Sequence, residues 1–186
     1  MNSAYRLKHP DSVFSPSLLF YKELIRRNIA RAVEIAGDPS RLRPHVKTHK
    51  TREIARMQLA AGITKHKCAT IAEAEMLAAC QIPDVLIAYP IVGPNCQRVA
   101  KLARKYAKTR FGVLVDHPKP MQALSSALSE AGQTVDAFLD IDCGMHRTGV
   151  EAGEKAFALY QQMSRAPGLR AAGLHVYDGH NHQEAL

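Results

Sequence analysis

Short apolar runs alternate with longer helical ones along most of this chain, and that alternation restricts the fold more than any other feature of the sequence. Val-Leu-Ile-Ala at 85–88 and Gly-Val-Leu-Val at 112–115 are continuously apolar, as in strands covered on both faces. Strands are expected at 41–47, 63–69, 84–88, 110–115, 135–141 and 169–176. Helices are expected at 17–36, 51–61, 70–80, 94–107, 118–131 and 151–164. In the first of these, Leu18, Leu24, Ile25, Ile29 and Val33 recur at helical spacing, and Gly37-Asp38-Pro39 ends the run. Thr70 stands as an N-cap with Glu73 completing a capping box, and Gly62 stops the preceding helix.

Repeated βα units predict an α/β fold with a parallel sheet and its helices outside. Neither GxGxxG nor GxxxxGK[ST] occurs, so the phosphate loops of open doubly wound sheets are missing. That favours a (β/α)8 TIM-type barrel. Eight units take about 250 residues, whereas 186 residues reach about six. The expectation is one incomplete barrel domain over 1–186 with no internal boundary.

Composition excludes several function classes. Hydrophobic residues make up 46%, too many for a disordered chain, and the lack of Trp points to an aliphatic core. The net charge is +8, but the basic residues are dispersed and no nucleic-acid motif is present. No nucleic-acid partner is expected. A basic site for a phosphorylated small molecule accounts for the charge equally well. No apolar run approaches the ~20 residues of a membrane span, and Met1–Pro10 lacks a signal-peptide core. Cys68, Cys80, Cys96 and Cys143 form no CxxC pair and read as reduced thiols, so a cytoplasmic location is expected.

Unusual polar residues gather where the expected strands end. They are Lys47 and His49, then His66, Cys68 and Thr70, then Tyr89, then Asp116 and His117. The fifth strand ends in Asp140-Ile-Asp142-Cys-Gly144-Met-His146-Arg147-Thr-Gly149, and the sixth in His175-Val-Tyr177-Asp-Gly179-His180-Asn-His182. A parallel barrel brings all these ends to one face, where chemistry is placed. Taken alone, Arg43-Pro-His-Val-Lys47-Thr-His49-Lys50 is a solvated basic loop. At the end of a first strand, Lys47 becomes an amine nucleophile able to form a Schiff base. Arg43, Lys50 and Arg147 are the cations expected to help depress its pKa. Arg147 either holds an anionic oxygen or pairs with Asp140 or Asp142. His66 either serves the site or faces the barrel interior as a hydrogen-bonded core residue. The His180/His182 pair is weak evidence for a metal.

Four stretches carry a family resemblance. Pro44-His45-Val46-Lys47-Thr48-His49-Lys50, Cys68-Ala69-Thr70-Ile-Ala-Glu73-Ala-Glu75, the 140–149 loop and Gly173-Leu-His175-Val-Tyr177-Asp-Gly179-His180 resemble the D-threonine aldolase and D-serine dehydratase group. These are fold-type III pyridoxal-phosphate enzymes related to the alanine racemase N-terminal barrel. The resemblance implies that Lys47 carries pyridoxal 5'-phosphate and, once released, acts as a base. It implies that Arg147 lies near the cofactor's phenolic oxygen and Tyr177 near its ring, with His49, Thr70 and Tyr89 lining the pocket. The implied activity is D-threonine cleavage to glycine and acetaldehyde, with D-serine dehydration, amino-acid racemisation or a non-catalytic carrier role as alternatives. The substrate would be a small D-amino acid, and a homodimer is expected. The family's divalent-metal pair and its C-terminal β domain lie in parts that this chain does not contain.

Overall fold

The computed structural model describes residues 5–182. Its order is α1 (Lys22–Ala36), α2 (Arg52–Ala60), β1 (Lys65–Cys68), α3 (Ile71–Ala79), β2 (Asp84–Pro90), α4 (Asn95–Lys105), β3 (Arg110–Val115), α5 (Pro118–Glu130), β4 (Val135–Asp142), β5 (Val150–Glu151), α6 (Glu154–Arg165) and β6 (Leu169–Val176). The sheet runs β1-β2-β3-β4 with every pairing parallel, and both β5 and β6 pair with β4. This is the expected α/β architecture, a partial barrel wall with helices outside. Among the described residues no helix is long and apolar enough to cross a membrane.

Strand alternation sorts the side chains into two layers. Val85, Ile87, Val113, Val115, Ala137 and Leu139 face the helices and join Leu77, Leu124, Leu128 and Met163 in the main core. Each of those fully buried helix residues stabilises the fold by about 1.5–3 kcal/mol. The opposite parity faces the barrel interior. There Leu86, Gly112 and Phe138 meet: a Cβ on Gly112 would lie 3.1 Å from both neighbouring side chains. Below them, at the strand starts, the interior is ionic. Arg43 forks onto Asp84 at 2.5 and 3.1 Å, and Arg110 and Arg170 both clasp buried Asp136.

Two expected elements differ. The 41–47 strand is reduced to one parallel bridge, His45 with Lys67. Pro44 has no N–H to give a ladder, and His45 Nδ1 accepts the Lys47 amide at 3.2 Å, capping a 3-10 turn over Val46–Thr48. The first helix starts at Lys22 rather than 17. Ser17's hydroxyl donates to the Phe14 carbonyl, and Tyr21's donates to the Tyr5 carbonyl at 2.8 Å. Such local bonds compete with helix. Leu18, expected on that helix's apolar face, is exposed.

Candidate active site

The site is built at the upper strand ends. The lysine loop is held from below by Lys67, whose amide donates to the Pro44 carbonyl at 2.9 Å. Buried Val46 pins the same turn into the core, leaving the Lys47 side chain exposed. Lys50 adopts φ 52°, a left-handed conformation uncommon for a residue with a Cβ. On the far side, Gly149 has φ +99°, and a Cβ there would come within 2.6 Å of the Asp142 amide. Only glycine suits that turn. Asp142 accepts the amides of Gly144 and His146 at 2.9 and 3.0 Å, which pull its carboxyl down to about 2. The loop that presents Arg147 is therefore preformed.

Two expected site residues, Arg147 and Tyr177, meet, and Lys67 joins them. The Arg147 guanidinium lies 5.1 Å from the centre of the Tyr177 ring, and Lys67 Nζ lies 5.9 Å from the same ring. Lys67 in turn feels the charges of Lys47 and Asp140; burial, then Lys47, then Arg43 lower its pKa. Asp140 is 2% exposed, and its Oδ1 is joined to His175 Nδ1 at 2.6 Å. Its Oδ2 is buried with no hydrogen-bond partner among the described residues. Cys143 ties the two loops, its thiol donating to the Tyr177 carbonyl at 3.3 Å. A crevice between Asp140, Met145, Arg147, Thr148 and Tyr177 opens here. Roomier clefts of about 540 and 600 Å³ lie elsewhere, under Phe20 and Met57 and beside Tyr106.

Other residues take different places. His49 binds Thr51 through Nδ1, and burial lowers its pKa. Thr70 caps α3, its hydroxyl accepting the Glu73 amide at 3.1 Å, while Glu73 reaches back to the Ala69 amide at 2.8 Å. Tyr89 is exposed and makes no hydrogen bond or ring contact with the others. Arg43 and Lys50, expected to act electrostatically on Lys47, are matched instead: Arg43 by Asp84, Lys50 by Glu73 at 2.8 Å. Arg147 pairs with neither Asp140 nor Asp142, which are taken by His175 and His146. His66 faces α2 rather than the interior; its Nε2 lies 3.0 Å from Gln58 Oε1, and burial holds it at about 4. Lys67 occupies the interior position. Sequence reasoning missed it, although the period-2 rule applied from apolar Cys68 places it there.

The donor set suits a flat, anionic carbonyl compound. An aromatic face and two cations without ion pairs among the described residues, Lys67 and Arg147, stand together, with the Lys47 amine near enough to act on Lys67 through its charge, while Asp142 and one oxygen of Asp140 are bound to histidines. Residues 22–185 match the family described as alanine racemase, N-terminal domain. This chain belongs to that family. Among its relatives are D-threonine aldolase of Arthrobacter, 34% identical over 90% of this chain and 44% of that protein, and 3-hydroxy-D-aspartate aldolase of Paracoccus denitrificans, 30% identical over 89% and 43%. The crystal structure of D-threonine aldolase from Filomicrobium marinum superposes with a TM-score of 0.80 at 36% identity, over 87% of this chain and 44% of that one. Alanine racemase of Clostridium difficile, at 15% identity and TM-score 0.62, shares the fold. The chain spans less than half the length of these relatives.

Proposed function

We propose that this chain is the lysine-bearing barrel portion of a pyridoxal-phosphate lyase acting on D-β-hydroxy amino acids, with D-threonine cleaved to glycine and acetaldehyde. The observation that carries the reading is the Tyr177 ring flanked by Arg147 and Lys67, neither in an ion pair among the described residues, with Lys47 near enough to act on Lys67 through its charge. The relatives named D-threonine aldolase support the substrate class.

When bound, the cofactor supplies an electron sink at the substrate's α-carbon. Lys47 Nζ would make the covalent link to its carbonyl carbon and, freed by the substrate's amine, hold or move a proton. Arg147 would set two N–H groups against the phenolic oxygen. Tyr177 would cover one face of the ring and exclude water. His175 steadies Asp140, keeping one carboxylate turned toward the interior. Dehydration is the second reading, favoured by D-threo-3-hydroxyaspartate dehydratase of Delftia at 28% identity. A homodimer remains part of the proposal.

Adding pyridoxal phosphate should produce a visible absorbance band, and borohydride reduction should fix the label on Lys47. A band that persists in Lys47→Ala would remove Lys47 from the role. Acetaldehyde release from D-threonine, against keto-acid release from D-serine, separates the two readings.

A further inference from the structure

Among the described residues, the cations at the base of the barrel interior are ion-paired and three at its mouth are not. Arg43, Arg110 and Arg170 each have a carboxylate, and so does Lys50 in the loop. Lys47, Lys67 and Arg147 have side chains with no hydrogen bond or ion pair among the described residues. Asp140 goes to His175, Asp142 to His146, and Asp116 Oδ2 accepts the Gly149 amide at 3.3 Å.

Lys67 stands apart within this group. Its backbone is fixed twice, by pairing with Leu86 in β2 and by the bond to Pro44. Its side chain is half-buried, whereas Lys47 is exposed. Holding a half-buried ammonium without an ion pair is unfavourable, and among the described residues Asp140, bound to His175, acts on Lys67 only through its charge and makes no ion pair with it. An oxyanion from a ligand would supply one. A substrate amine engaged where Lys47 acts carries its α-carboxylate two bonds from that nitrogen, so a second lysine beside Lys47 lies in the right region for it.

We infer that Lys67 is an oxyanion-docking residue of the mouth, its ammonium receiving the α-carboxylate of the amino-acid substrate. This rests on the reading of Lys47 as the cofactor lysine.

The test compares D-threonine with D-threoninol, which keeps the amine and hydroxyl but lacks the carboxylate. Binding of each to the pyridoxal-phosphate-loaded protein is followed by the change in its visible spectrum. Lys67→Gln should weaken D-threonine by about tenfold or more, the loss expected for a charge-assisted hydrogen bond. It should leave D-threoninol within about twofold, and Lys67→Arg should restore part of the difference. The melting temperature of Lys67→Gln should fall little, since among the described residues only the contact with the Tyr177 ring and the charge of Asp140, and no ion pair or hydrogen bond, are lost. Equal weakening of both ligands, or of neither, overturns the inference. So does a loss confined to pyridoxal phosphate with pyridoxal unaffected, which would give the oxyanion to the cofactor. If the wild type gains no band, or Lys47→Ala keeps it, the underlying reading has failed and this inference falls with it; a defect specific to Lys67 leaves that band intact.

Discussion

His175 and Asp140 are joined side chain to side chain at 2.6 Å across the β4–β6 pair, both facing the barrel interior. The pairing couples the strand that ends in the Arg147 loop to the strand that ends in Tyr177. His175→Ala should leave the buried Asp140 carboxylate without its partner and cost about 1–3 kcal/mol. Urea unfolding of the variant checks this, and an unchanged midpoint would mean the pair contributes nothing net to stability.

Lys47→Ala should abolish covalent cofactor capture while leaving the fold intact. The side chain is exposed and makes no contact that supports the turn; its amide bond to His45 survives substitution. Stability should stay within about 0.5 kcal/mol of wild type. Circular dichroism melts and borohydride labelling measure the two outcomes separately.

Gly149→Ala should destabilise by about 1–3 kcal/mol and disorder the presentation of Arg147. The new Cβ would press on the Asp142 amide in a left-handed turn. A melting temperature equal to wild type would show that the turn relaxes freely.

Stability should fall as the pH is lowered from about 6.5 toward 4. The ordinary histidine value is near 6.5, and burial first, then neighbouring cations, holds His45 and His66 at about 4. Between those values the unfolded chain binds more protons than the folded one, so stability rises with pH across that window. Protonating His45 would also remove the acceptor for the Lys47 amide. Urea midpoints at about pH 7 and about pH 5 should differ, and His45→Gln combined with His66→Gln should flatten the difference. A slope unchanged in the double variant would place the linkage elsewhere.

Thr70→Ala should cost about 1 kcal/mol, the usual effect of losing an N-cap. The hydroxyl's bond to the Glu73 amide is the one removed. Thr70→Ser should recover most of the loss in the same thermal melt.

The βα repeat was legible in the sequence because continuous apolar strands and capped helices leave strong local patterns. Thr70 with Glu73 marked α3 to within a residue at each end. The 41–47 run reads as a strand in the sequence and is a turn in the structure, since the turn that His45 caps depends on one side chain bonding backwards. Residues 17–21 carried helical spacing without a capping side chain, and tertiary contacts of Tyr21 with Tyr5 decided their path. In β1, Lys65-His66-Lys67 offers polar residues on both faces, so hydrophobicity alone does not tell which points inward. Cys68, buried on the helix side, settles the parity. Matching of Arg43 and Lys50 was not legible, because Asp84 and Glu73 lie far along the chain from them.

Phe138 fills the interior between Gly112 and Gly173, with the ion pairs of Asp84 and Asp136 beneath it and Lys67 and Asp140 above. Along the strands of this partial wall, Phe138 thus separates the polar groups at the upper ends from the ion pairs at the lower ends. Lys47 is exposed above that divide, and the Asp136 ion pairs sit below it. Changes to that lower layer should alter how firmly the barrel holds together while leaving events above the ring largely unaware of them.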